Sequence, residues 1–483
     1  MPGQRLFHII TFGCQMNVYD SGRLQSLLEE RGWAAAPTPD AADFIFLNTC
    51  SIREKAARRV LSRLRDLAPL KKKNPRLLVG VGGCVAEQEG ANLIKLSPIV
   101  DLAIGPRRLA EIPALLDLGP ASYPIILAGD SPGLPGDSQD ADLSGAPEAK
   151  LAAPAPFAAA SAASRKPAPL SAFLTIMEGC DNFCAYCVVP YVRGRETSRP
   201  RADILLEAQS LIQRGAREIT LLGQNVNSYA PKLNPPAAPG EAFASLLREA
   251  SALPGLWRLR FTTSHPKDFP PRLSSLFATL PNLAPSLHLP LQAGSDRVLK
   301  AMGRHYAISD YFKILSALRE ARPDIAITTD IMTGFPGETE EDFQETLAAL
   351  REARFDSIFS FKYSDRPGVR ASSLPDKVPE EEKGRRLSLI IATQREIGQS
   401  INRALVGAAQ EVLAEGPARL PGQLTGRAGN NKIVNFMGPA SLIGSLVPVT
   451  IVGAGPNSLT GVLKSQEEPT PDAFPPAARA SHG

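Results

Sequence analysis

Two hydrophobic periodicities alternate along most of the chain. Short apolar runs of strand character are followed by longer stretches with apolar residues three and four positions apart, as in amphipathic helices. The first run, Leu6–Thr11, leads into Gly13 and Cys14, and a helical stripe with Leu24, Leu27 and Leu28 follows. The second, residues 43–48, ends at Cys50 and is followed by a basic helical stretch over 52–68. The third, 77–81, ends at Gly82, Gly83 and Cys84. Strand and helix in alternation predict a parallel, Rossmann-like α/β sheet over residues 1–118.

The pattern stops at residues 119–169, where Pro, Ala, Gly, Ser and Asp dominate; this composition reads as a linker. It resumes over 170–402. Candidate strands lie at 173–177, 219–222, 259–262, 286–289, 325–329 and 357–361, and the clearest helices at 202–214 and 340–353. Six βα units predict a partial (βα)6 barrel of TIM type, with its chemistry at the carboxyl ends of the strands. A helix over 380–404 leads out of it. Five short apolar runs, at 411–413, 423–426, 433–436, 447–452 and 459–463, then predict a small β-barrel over 403–465. Residues 466–483 read as a disordered tail. The fold class is α/β throughout, ending in an all-β module.

Composition narrows the setting. The chain has 483 residues, 43% of them hydrophobic, and a net charge of +4, which neither demands nor excludes a nucleic-acid partner. No secretory signal or membrane-spanning run is visible, so a cytoplasmic protein with no membrane partner is expected. In a reducing compartment six cysteines point to metal ligation rather than disulfides.

Three of them, Cys180, Cys184 and Cys187, stand at C-x-x-x-C-x-x-C spacing in one loop. A structural zinc needs four ligands, and no fourth Cys or His lies nearby. Three thiolates hold three irons of a 4Fe-4S cluster and leave the fourth open to a ligand. A zinc knuckle completed by a distant His is the alternative. This spacing resembles the radical S-adenosylmethionine (SAM) enzymes. The resemblance implies that the open iron chelates SAM and that one electron from the cluster cleaves it to a 5′-deoxyadenosyl radical, making these three cysteines catalytic as well as metal-ligating.

The expected strand ends of the barrel carry polar residues in turn: 223–229, 263–266, 291–295, Asp330 with 333–339, and 362–364. Asn225, Gln292 and Gly334 are the candidates for SAM contacts, while His265 reads as a loop histidine rather than a ligand. Arg193, Arg195, Arg199 and Arg201 follow the cysteine loop, suited either to phosphate or carboxylate binding or to a solvated face. The other three cysteines, Cys14, Cys50 and Cys84, each lie just past a different strand of the first domain. In a parallel sheet those ends share one edge, so the three thiols can converge and hold a second three-ligand cluster; three buried structural cysteines are the alternative. Arg419, Arg427, Asn430, Asn431 and Lys432 are candidates for an RNA face on the last domain.

Taken together, residues 13–17, 48–56 and 83–86, the stretches 177–199, 222–229, 260–266 and 288–292, and residues 330–338 resemble the methylthiotransferases among the radical SAM enzymes, and the last domain resembles their RNA-binding TRAM domain. Residues 48–56, 223–229 and 359–364 look most like the branch that acts on N(6)-isopentenyladenosine in tRNA. The resemblance implies an enzyme that places a methylthio group on C-2 of that adenine beside the anticodon, using two SAM and two 4Fe-4S clusters. It implies the tRNA anticodon stem-loop as substrate and an electron donor of flavodoxin or ferredoxin type; a monomer is expected. Sister branches act on threonylcarbamoyladenosine in tRNA or on a ribosomal protein, and a non-catalytic, metal-stabilised RNA-binding protein is the alternative of another class. The long Ala/Pro linker departs from the family pattern.

Overall fold

In the computed structural model, residues 4–50, 54–118, 122–128, 166–231, 238, 240–366 and 368–464 are described, with backbone alone at 54–58. The greater part of the expected linker and all of the expected tail lie outside them.

The first domain is a six-stranded sheet of β1 (Leu6–Thr11), β2 (Ala34–Ala35), β3 (Phe44–Thr49), β4 (Leu78–Gly83), β5 (Leu102–Ile104) and β6 (Ile125–Leu127), ordered β2-β1-β3-β4-β5-β6 and parallel throughout. Its helices are α1 (Gln15–Glu30), α2 (Glu54–Lys73), α3 (Cys84–Leu96) and α4 (Ile112–Leu115). Strand β3 is buried along its whole length. Phe44 and Phe46 pack with Leu24 and Leu28 of α1 on one face; Ile45 and Leu47 pack with Val60 and Leu64 of α2 on the other. A strand covered on both faces reads as a continuous apolar run, as residues 43–48 do. Strand β6 comes from residues expected in the linker and extends the sheet past residue 118.

The central domain contains β7 (Ser171–Thr175), the short ribbon β8 (Met177–Glu178) with β9 (Thr197–Ser198), and β10 (Glu218–Leu222), β11 (Arg258–Thr262), β12 (Ser286–His288), β13 (Ala326–Thr333) and β14 (Ser357–Lys362). Between them run α5 (Val189–Val192), α6 (Arg201–Gln213), α7 (Glu241–Ser251), α8 (Pro271–Thr279), α9 (Asp296–Ala301), α10 (Ile308–Ala321) and α11 (Glu340–Ala353), with α12 (Glu380–Ala404) after β14. The strands form two parallel triplets, β7-β10-β11 and β12-β13-β14. Main-chain bonds join them: Leu259 N to Asn282 O at 2.8 Å and Ala284 N to Leu259 O at 2.9 Å. The result is an incomplete six-stranded barrel whose end strands β7 and β14 do not pair. Leu174, Leu221, Leu259, Ile327 and Ile331 face the helix layer. Asp330 lies inside β13 rather than beyond its end, because that strand continues to Thr333.

Strands β15 (Ala409–Pro417), β16 (Gln423–Ala428), β17 (Ile433–Met437), β18 (Leu446–Ala454) and β19 (Leu459–Leu463) close into a barrel ordered β15-β16-β17-β19-β18. Alternate residues fill it, including Val412, Leu424, Val434, Phe436, Val449 and Leu459. Its β16–β17 turn docks on the central barrel. Arg258 donates to Arg427 O (2.7 Å), Arg260 to Gly429 O (2.8 Å), and Lys432 pairs with Asp356 at 2.7 Å. Within the expected RNA face, Lys432 is committed to an interdomain ion pair, Asn430 lines the cavity between the two domains, and Arg427 lies 3.6 Å from Glu415. Only Arg419 and Asn431 of that set are exposed. Among the described residues no helix is long and apolar enough to cross a membrane.

Candidate active site

All six cysteines are free thiols. Cys14 sits at the N-terminus of α1, Cys50 follows β3, and Cys84 opens α3, so all three lie on the carboxyl edge of the first sheet. A buried amide network pins that edge. Asn17 Nδ2 donates to Asn48 Oδ1 (2.9 Å) and Thr49 O (3.0 Å), Asn48 Nδ2 donates to Asn17 O (2.9 Å), and Cys14 N donates to Asn17 Oδ1 (3.3 Å). Gly13, at φ +141°, has no room for a side chain: a Cβ there would meet Asn17 Oδ1 at 2.5 Å and Cys50 Cβ at 2.6 Å. Gly83, at φ +88°, is equally confined, with Thr49 O at 2.3 Å. Hydrogen bonding with Cys50 outweighs burial and brings the Cys14 thiol down to about 6, whereas burial raises that of Cys84.

The second set lies in the loop between β8 and α5. Burial pushes the Cys180 thiol up to about 11 and the Cys187 thiol up to about 12. Neither ionises at neutral pH without a nearby positive charge, which a bound metal supplies. Donors already converge on the sulfurs. Arg304 Nη1 lies 3.5 Å from Cys184 Sγ, and Val189 N 3.5 Å from Cys187 Sγ. His265 accepts at Nδ1 from Lys267 N (3.2 Å), so its proton sits on Nε2, 4.0 Å from Cys184 Sγ. It is a loop histidine that also faces a cysteine. Among the described residues no three His, Cys, Asp or Glu side chains form a cage for a single metal ion. The loop set, with donors aimed at its sulfurs, fits an iron–sulfur cluster, since hydrogen bonds to the sulfurs stabilise and tune such clusters; the sheet set offers a second group of three thiols along one edge.

The two sets meet across the domain boundary. Arg193, just after the cysteine loop, donates from Nη2 to Asp20 of α1 at 3.0 Å, both side chains being 5% exposed. Desolvation opposes its charge, but Cys84, Asp20, Glu178 and Cys14 surround it and hold it firmly protonated. Its Nη1 has no hydrogen-bond partner among the described residues. Cys84 packs with Val188 and Val192 beside the second set. Burial, reinforced by Asp20, raises the carboxyl of Glu178 in the same wall.

The other three arginines of the run are also internally matched: Arg195 to Asp181 (2.8 Å), Arg199 to Glu207 (2.7 Å) and Arg201 to Glu249 (3.0 Å). Arg199 is buried in its pair, whereas Arg195 and Arg201 stay exposed.

Of the candidate SAM contacts, Asn225 is 1% exposed; its Nδ2 donates to Asp268 (2.7 Å) and its Oδ1 has no partner among the described residues. Gln292 is held at φ +75°, with its backbone bonded to Asp330 and Met332 and its Oε1 also unpartnered among the described residues. Buried, unsatisfied acceptors are rare in finished folds and fit a polar ligand here. Gly334 differs: its N–H is donated to Glu338 and the Lys383 side chain lies over it. Sequence reasoning missed Asp268, which also faces Asn182 of the cysteine loop (3.4 Å), and Arg304, which binds Pro290 O (2.8 Å). No spacing links Arg304 to the cysteines; only the fold brings them together.

Residues 6–105 match the uncharacterized protein family UPF0004, 174–350 the radical SAM superfamily and 403–464 the TRAM domain. The fold is also that of the radical SAM methyltransferase TsrM of Kitasatospora setae, at a TM-score of 0.53 and 15% identity over 87% of this chain and 78% of that one. These matches define a radical SAM enzyme. The chain is 46% identical over 467 residues to a tRNA-2-methylthio-N(6)-dimethylallyladenosine synthase of Geobacter metallireducens, covering 96% of this chain and 99% of the relative. Relatives of the same name from Paraburkholderia phymatum (43% identity; 96% and 98% covered) and Bordetella avium (44%; 96% and 94%) match as fully. The chain therefore belongs to the methylthiotransferase family of radical SAM enzymes, whose cofactors are SAM and 4Fe-4S clusters.

Proposed function

We propose that the chain adds a methylthio group to C-2 of N(6)-dimethylallyladenosine beside the anticodon of tRNA. Cys180, Cys184 and Cys187 hold one 4Fe-4S cluster and Cys14, Cys50 and Cys84 a second. The observation that carries this reading is the packing of Cys84, from the first domain, against Val188 and Val192 beside the cysteine loop of the second, next to the buried Arg193–Asp20 pair. Three ligands leave an iron of each cluster open, whereas structural metal sites are closed.

When bound, the clusters and two molecules of SAM supply the one-electron chemistry that activates an unreactive C–H bond, together with the sulfur and the methyl group. The chain's own residues bind and position. Asn225 and Gln292 offer buried amide oxygens that accept hydrogen bonds from SAM. Gly334, its N–H committed to Glu338 and its Cα covered by Lys383, contributes no donor. Arg304 and His265 direct donors at Cys184, and Arg193 keeps a positive charge beside Cys14 and Cys84. The buried walls around both sets exclude water, which protects reactive intermediates. The target base leaves its loop stack to enter, as chemistry on a base requires, and an anticodon loop is already single-stranded. The TRAM barrel holds the RNA backbone, so binding weakens with salt. The protein acts in the cytoplasm as a monomer and takes its electrons from a flavodoxin- or ferredoxin-type donor.

The test incubates anaerobically reconstituted protein with SAM, sulfide, a reductant and a dimethylallylated anticodon stem-loop. Mass spectrometry of the nucleosides should reveal the methylthio product. Modification of a threonylcarbamoyladenosine loop or a ribosomal protein instead would assign the chain to a sister activity.

A further inference from the structure

Strand β14 ends the incomplete barrel, and two large apolar side chains on it are exposed: Phe359 at 52% and Phe361 at 38%. Two residues apart on a strand, they share a face. Ile358, on the other face, packs against the helix layer. Both phenylalanines therefore face the interior of the open barrel.

That interior face continues into the candidate active site. Phe359 pairs in register with Asp330 and Phe361 with Met332. The Phe359 ring meets His288 edge-on at 5.8 Å. His288 is bonded to Thr328 at 3.0 Å and lies 3.6 Å from the Asp330 carboxylate. Gln292, with its unpartnered amide oxygen, bridges to Ile331, the next residue along β13. The platform is apolar on β14, acidic at Asp330 and continuous with the candidate SAM contact.

We infer that Phe359 and Phe361 form the subsite for the dimethylallyl chain of the target adenine. This rests on the tRNA reading above. A branched five-carbon chain on N6 is uncharged and matches two phenyl faces.

The test measures affinities of the reconstituted full-length protein for anticodon stem-loops carrying adenosine, dimethylallyladenosine or threonylcarbamoyladenosine, at fixed salt. Wild type should prefer the dimethylallylated loop to the unmodified one by about tenfold or more, as expected for several carbons in an apolar site. The double variant Phe359→Ala/Phe361→Ala should bind the two loops alike. Phe359→Leu/Phe361→Leu, which keeps the apolar surface but no ring, should retain the preference. A preference that survives the double Ala change overturns the inference; so does its loss in the Leu variant, which would point to a flat base stacked on the rings. If wild type makes no methylthio product from any loop, the underlying reading fails. If it makes the product and the Ala variant keeps the preference, only the subsite fails.

Discussion

The two cysteine sets reach one boundary by opposite routes. Cys180, Cys184 and Cys187 come from a single loop, and their spacing alone brings them together. Cys14, Cys50 and Cys84 come from three βα junctions, and only the parallel order of β1, β3 and β4 aligns them. The loop set depends on neighbours supplied late in the chain, Arg304 and His265. The sheet set depends on a dense local network, Asn17 with Asn48 and the confined Gly13 and Gly83. A loop motif can be read as a string; an edge motif exists only once a topology is assumed.

The largest expected effects separate the sets by chemistry. Cys184→Ala should abolish SAM cleavage, measured as 5′-deoxyadenosine release; full cleavage by that variant would remove the loop set from the radical step. Cys50→Ala should still cleave SAM, uncoupled from RNA, while giving no methylthio nucleoside. Normal product from it would make the sheet set structural.

Smaller effects probe how the sets are held. Arg193→Ala strands the buried Asp20 carboxylate and should cost about 3–5 kcal/mol in stability, read by denaturant unfolding of the apo-protein. A loss under ~1 kcal/mol, as for an exposed pair, would deny that Arg193 joins the domains. Asn48→Ala leaves buried partners unsatisfied and should cost about 1–3 kcal/mol. It should also lower iron bound by the sheet set while sparing the loop set; equal loss from both would show that the network is not local to one edge.

Much of this was legible beforehand where periodicity was long. The strands at 43–48 and 219–222 and the helices at 202–214 and 340–353 appear within a few residues of expectation, because each buries a full stripe or both faces. Strands β5 and β6, each three residues long, were not anticipated, and β6 lies in the stretch whose composition reads as a linker. The TRAM turn misled because basic composition cannot say which way a side chain faces: Lys432 finds Asp356 in another domain. Asn225 and Gln292 could be placed at strand ends, but their orphaned oxygens are visible only in three dimensions. Arg193 could be seen as a charge, yet not as the buried partner of Asp20 beside Cys84.

The central claim is that each set of three cysteines holds its own four-iron cluster. Iron and sulfide analysis of anaerobically reconstituted protein tests it most directly, comparing wild type with two triple alanine variants, one at Cys180, Cys184 and Cys187 and one at Cys14, Cys50 and Cys84. About eight irons in wild type, falling to about four in either variant, are predicted for two independent 4Fe-4S clusters. Zinc without sulfide, or wild-type iron content in either variant, would contradict it.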